Sequence, residues 1–282
     1  MTEPPAPPPD NPDVRVLLDG LAFPEGPAFH PDGSLWCTEI RGGNLVRYDP
    51  AGPRRYPSNG RPNGLAFDSR GVAWVCDAQL SAIRCFDPRT ERWSIAVDSI
   101  DGEPLARPND LAFDPAGTLV FTCPGNSREA PTGYVCALRP DGTLSRIGEH
   151  LQFPNGLAFT DGGATLVVAE TFRQRLWKGG WDAAGARWID PQPYADVGGP
   201  IGPDGMALAA DDLMWVAVCG SWQIKGVDPA GAVVRAVSLP GSVPTNAAFD
   251  PSGRLGLVVT ESDRGLLLSV PSLGPGVPLF SR

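Results

Sequence analysis

Residues Phe153–Phe159 read FPNGLAF, and the apolar run Thr165–Glu170 follows them after a short turn. Proline and glycine near the start of this segment indicate a turn, and the apolar residues predict two short β-strands joined by a reversal. Closely related segments occur at five other places in the chain. They are Phe23–Phe29, Arg61–Phe67, Arg107–Phe113, Gly202–Leu208 and Pro244–Phe249. Six copies of one strand–turn–strand unit indicate a repeat architecture.

Each copy carries an oxygen-bearing side chain, and we align these side chains at one register. They are Glu25, Asn63, Asn109, Asn155, Asp204 and Asn246. They recur at intervals of about 40 to 50 residues, which is typical of one four-stranded propeller blade. We therefore predict an all-β fold, a six-bladed β-propeller, in which the aligned side chains converge on the central channel. A β-sandwich is the structural alternative, but it would not explain the repeated register.

The composition favours a globular chain without long helices. The 282 residues include 34 glycines and 32 prolines, which would interrupt helices repeatedly. We expect a single propeller domain over residues 14–282. The proline-rich residues 1–13 are predicted to form a disordered tail.

Charge and hydropathy narrow the possible partners. The net charge of −9 argues against nucleic acid, because phosphate binding requires a basic surface. No apolar run is long enough to span a membrane, and the N-terminal residues lack the pattern of a secretory signal. We therefore expect no membrane partner and a cytoplasmic location, and the oligomeric state is left open.

Cysteine and histidine usage narrows the possible chemistry. The six cysteines include no CxxC pair, and most lie in apolar strand patterns, so we predict that they are reduced and buried. The chain has two histidines, His30 and His150. A histidine-rich zinc site and a Ser-His-Asp triad are therefore both disfavoured.

The aligned register offers oxygen ligands for a cation. Carboxylates and amides, without thiolate or imidazole, are the ligands of hard cations, and a bound cation would offset repulsion between the carboxylates. An alternative is that asparagine and aspartate after proline are ordinary turn residues, whose side chains bond the nearby backbone. This alternative applies most strongly to Asn63 and Asn246.

Four motifs together resemble the SMP-30/gluconolactonase/luciferin-regenerating family. They are Phe23–Pro27, Arg107–Asp110, Phe153–Ala158 and Pro203–Met206, and the resemblance extends from about Val14 to the end of the chain. Proteins of this family are six-bladed propellers with one divalent cation in the axial channel, and many hydrolyse lactones. The resemblance therefore implies a metal-dependent hydrolase that opens a small-molecule lactone, such as a sugar-acid lactone.

The same resemblance implies roles for individual residues. Glu25, Asn155 and Asp204 are expected to ligate the cation, and Asp204 is expected to act also as the general base. Asn109 and Arg107 are expected to contact the substrate. Calcium is the first choice of cation, with magnesium, manganese and zinc as alternatives.

One segment departs from the pattern of the sugar lactonases. Those proteins commonly carry an aspartate after the Phe-Thr of the third blade, whereas Cys123 follows Phe121 and Thr122 here. If Cys123 projects into the channel, the pocket is less acidic than in a sugar lactonase. The loop Gly125–Glu129 lies where the family's substrate-shaping segment sits. Phe172 and Trp222 are further candidates for the pocket wall or, alternatively, for blade packing.

Two other functions remain compatible with the sequence. A phosphotriesterase-type or other small-ester hydrolase could use the same site on a different bond. A non-catalytic propeller could bind a ligand and hold a merely structural cation. A condensing propeller of the strictosidine-synthase type is disfavoured, because the expected metal ligands are all present.

Overall fold

The computed structural model describes residues 11–282, which form a six-bladed β-propeller, as predicted. Each blade is a four-stranded antiparallel sheet. The first ten positions of the predicted disordered tail lie outside the described residues. In the described part of the chain, no helix is both long enough and apolar enough to cross a membrane.

The strands follow one another in chain order, beginning with β1 (Arg15–Leu18). Blade 1 contains β2 (Pro24–Phe29), β3 (Leu35–Glu39), β4 (Asn44–Arg47) and β5 (Arg54–Pro57). Blade 2 contains β6 (Pro62–Phe67), β7 (Ala73–Asp77), β8 (Ala82–Asp87) and β9 (Arg92–Val97). A two-stranded ribbon of β10 (Ser99–Ile100) and β11 (Glu103–Pro104) then leads to blade 3.

Blade 3 contains β12 (Leu111–Phe113), β13 (Leu119–Cys123), β14 (Gly133–Leu138) and β15 (Leu144–Leu151). Blade 4 contains β16 (Pro154–Thr160), β17 (Thr165–Glu170), β18 (Arg175–Asp182) and β19 (Arg187–Asp196), with 3₁₀ turns at Asp161–Gly163 and Thr171–Arg173. Blade 5 contains β20 (Gly202–Leu208), β21 (Met214–Cys219), β22 (Gln223–Val227) and β23 (Val233–Ser238). Blade 6 contains β24 (Pro244–Phe249), β25 (Leu257–Glu261) and β26 (Leu266–Val270).

The ring is closed by β1, which pairs antiparallel with β26 as the fourth strand of blade 6. No local sequence pattern shows which blade this strand joins. Because blade 6 takes strands from both ends of the chain, backbone hydrogen bonds tie the two ends together. Opening the ring would expose unpaired backbone groups on both sides of this junction.

The hydrophobic core is divided into six clusters, one in each gap between neighbouring blades. Alternate residues of a strand face opposite sides of its sheet, so the middle strands bury both faces. Trp36, Trp74 and Trp215 are 2%, 6% and 1% exposed, as their mid-strand positions predict. All six cysteines are free, and five of them are buried, which agrees with the prediction of reduced, buried thiols.

The first strand of each blade lies innermost, and neighbouring first strands pack closely around the axis. The close packing of neighbouring first strands explains why two of the repeats have glycine. A Cβ atom on Gly64 would lie 2.5 Å from Asp110 Oδ1, and one on Gly205 would lie 2.0 Å from Asn246 Oδ1. Side chains of the next blade therefore occupy the space that these glycines leave.

Candidate metal centre and active site

The leading proline of each repeat provides a common register for the channel. The residues directly after the prolines are Glu25, Asn63, Asn109, Asn155, Asp204 and Thr245. The alignment of Asn246 with this set is wrong by one residue, because Pro244 pairs with Glu261 as Pro154 pairs with Glu170. Asn246 is two residues after its proline. The hydroxyl of Thr245, the true equivalent, donates to Pro24 O at 2.8 Å.

Asn246 instead matches Asp110, which is also two residues after its proline. Each side chain accepts the following backbone N–H, from Leu111 at 2.9 Å and from Ala247 at 2.8 Å. Asn246 Nδ2 donates to Asp110 Oδ2 at 3.2 Å, which joins blades 3 and 6 across the channel. Sequence reasoning assigned no role to Asp110. The available signal was an aspartate at a position where four of the six repeats have glycine.

Three buried carboxylates converge in the channel. Glu25, Asp110 and Asp204 are 3%, 8% and 7% exposed. Burial raises the pKa of Glu25 well above its ordinary value, and the negative charges of Asp204 and Asp110 raise it further. Burial also raises the pKa of Asp110 to about 6 and that of Asp204 to about 7. No positively charged side chain of residues 11–282 contributes to any of these three shifts.

Two asparagines add neutral oxygen atoms to this region. Asn155 Nδ2 donates to Thr171 Oγ1 at 3.1 Å, and Thr171 Oγ1 donates to Pro203 O at 2.8 Å, which fixes the Asn155 amide. Asn63 is 6% exposed, and its Oδ1 is buried without a hydrogen-bond partner in the described part of the protein. A turn residue would bond the nearby backbone, so this orphaned oxygen favours a role in ligand binding for Asn63.

Cys219 is a further channel residue that sequence reasoning missed. Its Sγ lies 3.0 Å from Asp204 Oδ2 and 3.2 Å from Pro244 O. The equivalent residues of blades 4 and 6 are Thr171 and Ser262, whose hydroxyls likewise donate to the leading-proline carbonyl of the next blade. Burial, followed by the charge of Asp204, raises the pKa of the Cys219 thiol well above its ordinary value. Cys219 therefore remains a protonated donor beside Asp204.

Arg107 and Asn109 flank the leading proline of blade 3, and because both are more exposed than the buried carboxylates, we place them at the mouth of the channel. Arg107 is exposed, and its Nη1 donates to Asn126 Oδ1 at 3.0 Å. Its φ of 53° is in the left-handed region, as are those of Phe23 and Phe153, at 61° and 64°, which also precede leading prolines. Asn109 is half-buried, and its side chain makes no hydrogen bond within residues 11–282. The Asn109 amide is therefore available to a ligand.

Cys123 does not line the channel, so that possibility is wrong. It is fully buried in the core between blades 2 and 3, beside Tyr134 and Cys136. Four other blades carry a carboxylate at the position of Cys123. These residues are Glu39, Asp77, Glu170 and Glu261, and each accepts a backbone N–H from the segment that leads into its own blade.

The residues of the channel fit a hard divalent cation. Buried carboxylates that repel one another gain stability from a bound positive charge, and the orphaned amide oxygen of Asn63 suits the same ligand. Within residues 11–282, no three His, Cys, Asp or Glu side chains form a ready-made metal cluster. The expected ligands are Glu25, Asn155 and Asp204. This set contains two carboxylates and one amide, so it does not need three side chains of those four types.

Fold and site together define a six-bladed propeller whose axial channel is lined by buried carboxylates and amides. The chain belongs to a family described as the SMP-30/Gluconolactonase/LRE-like region, whose profile matches residues 23–263. The family expected from the four motifs is thereby confirmed.

Comparisons with known proteins agree with this membership. The gluconolactonase of Zymomonas mobilis is 30% identical over 278 residues, covering 86% of this chain and 77% of that protein. The diisopropyl-fluorophosphatase of Loligo vulgaris is 26% identical over 287 residues and covers 90% of each chain. The structure of a calcium-binding regucalcin from Agrobacterium tumefaciens superposes with a TM-score of 0.82 at 22% identity, covering 95% and 97% of the two chains. The named relatives support the assignment of this chain as an enzyme, a hydrolase of the lactonase type.

Proposed function

We propose that this protein is a divalent-cation-dependent lactonase, which opens a small cyclic ester by attack of water. The observation that carries the proposal is the convergence of Glu25, Asp110 and Asp204, which are buried together and have no cationic side chain among residues 11–282 to neutralise them. Burying three carboxylates together destabilises the fold unless a cation binds them. Destabilising groups of this kind cluster at functional sites.

Glu25, Asn155 and Asp204 would hold the cation. All three offer oxygen atoms, so calcium is the first choice, with magnesium, manganese and zinc as alternatives. When bound, the cation would polarise the carbonyl of the lactone and lower the pKa of a neighbouring water.

The remaining steps depend on the side chains of the chain itself. Asp204 takes the proton of the attacking water, and Cys219, 3.0 Å from its Oδ2, holds the carboxylate in place. Asn109, whose amide has no hydrogen-bond partner among the described residues, donates to the carbonyl oxygen as negative charge develops there. Arg107 at the channel mouth binds oxygen atoms of the substrate.

Two other functions lead to different measurements. A phosphotriesterase-type hydrolase is favoured by the similarity to the diisopropyl-fluorophosphatase of Loligo vulgaris and would use the same site on a phosphorus–fluorine or phosphorus–oxygen bond. A non-catalytic propeller would bind a cation and a ligand without turnover.

The decisive test is a pH-stat assay of acid release on a lactone panel. The protein is stripped of metal and then resupplied separately with Ca²⁺, Mg²⁺, Mn²⁺ and Zn²⁺. We expect cation-dependent acid release that Asp204→Asn lowers by about a hundredfold or more, which corresponds to roughly 3 kcal/mol. Asp141→Asn, at an exposed turn, is the control and should retain the wild-type rate.

The outcome distinguishes the three functions. Cation-dependent turnover that is lost in Asp204→Asn supports the lactonase and identifies its ion. Turnover of fluorophosphates or phosphotriesters, with none on lactones, would replace it by the second function. Cation binding without turnover on any ester would leave the non-catalytic propeller.

A further inference from the structure

Two arginines at the channel mouth have no acidic partner in the described part of the chain. Arg107 Nη1 donates to Asn126 Oδ1 at 3.0 Å, and the N–H of Arg128 donates to Asn126 O at 2.8 Å, so one short loop connects them. Both arginines are exposed, and neither forms an ion pair within residues 11–282. Glu129, directly beside Arg128 in the chain, does not pair with either guanidinium.

Aromatic rings hold the Arg128 side chain in place. Its guanidinium carbon lies 5.5 Å from the ring centre of Phe153 and 5.3 Å from that of Phe172. The two rings pack edge to face, with centres 5.1 Å apart. A guanidinium held against two rings by cation–π contacts loses little additional freedom on binding. The guanidinium makes no hydrogen bond to any described residue, so its N–H donors are available to a ligand.

The loop that carries Arg128 is fastened to blade 4. Ser127 Oγ accepts the N–H of Phe153 at 2.9 Å, and Gln152 Nε2 donates to Arg128 O. Phe153 in turn directly precedes Pro154 and Asn155, so the position of Arg128 is coupled to a proposed cation ligand. Phe172, the second ring, directly follows Thr171, which bonds the Asn155 amide.

The left-handed backbone conformation at the channel mouth is a second observation that supports a ligand-binding site there. Arg107 and Phe153 have φ values of 53° and 64°, and each is followed by proline. Such conformations are unfavourable for residues that carry a side chain, and they are often found beside ligand sites. These two positions carry the Arg107 guanidinium and the Phe153 ring, which contacts Arg128, at the channel mouth.

We propose that Arg107 and Arg128 form an anion subsite, and that the substrates are lactones with an anionic group remote from the ring ester. This inference rests on the proposed lactonase function. Guanidinium groups bind carboxylate or phosphate oxygens through paired N–H donors. The two unpaired guanidinium groups lie at the mouth, so we place the charged end of the substrate there and the neutral ester in the channel. Arg128 determines this specificity, and Arg107 assists it.

The kinetic test uses lactones matched except for one charged group. D-Glucaro-1,4-lactone, with a carboxylate, is compared with D-glucono-1,4-lactone, and 6-phosphoglucono-1,5-lactone is compared with glucono-1,5-lactone. We expect Arg128→Gln to raise KM for the charged members about ten- to a hundredfold while kcat changes less than about twofold. KM for the neutral members should be unchanged. The pair with the larger effect shows whether carboxylate or phosphate is preferred.

Two further variants exclude a merely structural effect. Arg128→Lys keeps the charge but loses the planar guanidinium, and it should restore part of the charged-lactone preference. Arg92→Gln removes an exposed arginine from the outer strand of blade 2 and should leave all four KM values unchanged. An Arg128→Gln variant that alters charged and neutral lactones equally would overturn the subsite.

A binding measurement separates this inference from the proposed function. Titration calorimetry with the open-chain acids glucarate and gluconate requires no turnover. If no lactone is opened but glucarate binds more tightly than gluconate, and Arg128→Gln removes that preference, the anion subsite stands while the lactonase fails. If lactones are opened but the protein prefers neither charged lactones nor glucarate, the subsite is overturned while the lactonase stands.

Discussion

Replacing Glu170 by alanine should destabilise the protein strongly, because this carboxylate joins three parts of blade 4. Glu170 is 2% exposed. It accepts hydrogen bonds from the Gln152 N–H at 2.7 Å, from Arg175 Nε at 2.9 Å and from Trp177 Nε1 at 2.8 Å. Alanine would remove all three acceptors and leave the guanidinium without its partner.

The expected loss is about 3 kcal/mol. Removing one partner of a buried ion pair costs roughly 3–5 kcal/mol, and hydrogen bonds to a charged group contribute about 1.5–3 kcal/mol each without being additive. The Arg175 side chain is 29% exposed, so water recovers part of the lost interaction, and we place the effect at the lower end. For a domain of this size, the melting temperature should fall by roughly 6–12 °C.

Glu170→Ala should also weaken cation binding. The hydrogen bond from Gln152 fixes the backbone immediately before Phe153, Pro154 and Asn155. Losing it frees the segment that carries the proposed amide ligand, so the apparent cation affinity should fall together with the stability. Glu170→Gln keeps one acceptor oxygen and should lie between alanine and wild type in both measurements.

Urea denaturation and a cation titration test these expectations, with Glu91→Ala as the matched control. Glu91 pairs with Arg54 on the surface, where the two side chains are 54% and 61% exposed. An exposed pair of this kind contributes no more than about 1 kcal/mol. If Glu170→Ala were no less stable than Glu91→Ala, the conclusion that the hydrogen bonds of Glu170 stabilise blade 4 would be refuted.

Two further predictions concern single side chains. Asn63→Ala should cost the fold less than about 1 kcal/mol, since its buried Oδ1 has no described partner, and lower the cation affinity about tenfold in a titration. Unchanged affinity with reduced stability would instead make Asn63 a turn residue. Burial alone would raise the pKa of Glu39, but hydrogen bonds, chiefly from Arg55, hold it below its usual 4.5. A depressed carboxylate pKa stabilises the fold above the unfolded value, and this stabilisation is lost as pH falls through the folded value. In Glu39→Gln, the free energy of unfolding should therefore fall less steeply than in the wild type as the pH drops below about 4.5. An equally steep fall in the two proteins would contradict this.

The candidate site was only partly predictable, for identifiable reasons. Glu25, Asn155 and Asp204 follow a leading proline in repeats that share one pattern, so their equivalence is visible in the sequence. Asn246 follows its proline by one residue more, and the alignment by residue type concealed this offset. Its contact with Asp110 joins positions 136 residues apart, which no local pattern specifies.

Cys123 and Cys219 show why the direction in which a side chain points can be read only from the folded structure. Both residues lie at the end of the second strand of a blade, and the sequence drew attention to Cys123 alone. The side chains of successive strand residues point to opposite faces, so a shift of one position decides between core and channel. Cys123 packs among Tyr134 and Cys136, whereas Cys219 reaches Asp204 in the axial channel.

The sequence by itself determined the number of blades, their strands and the leading prolines, because these depend on short-range turn chemistry repeated along the chain. Only the tertiary structure decided which side chains meet. The pairing of β1 with β26, the contact of Asp110 with Asn246 and the cation–π contacts of Arg128 with Phe153 and Phe172 all join separate parts of the chain. Such contacts depend on how six similar blades close into a ring, and closure is a property of the whole assembly rather than of any one repeat.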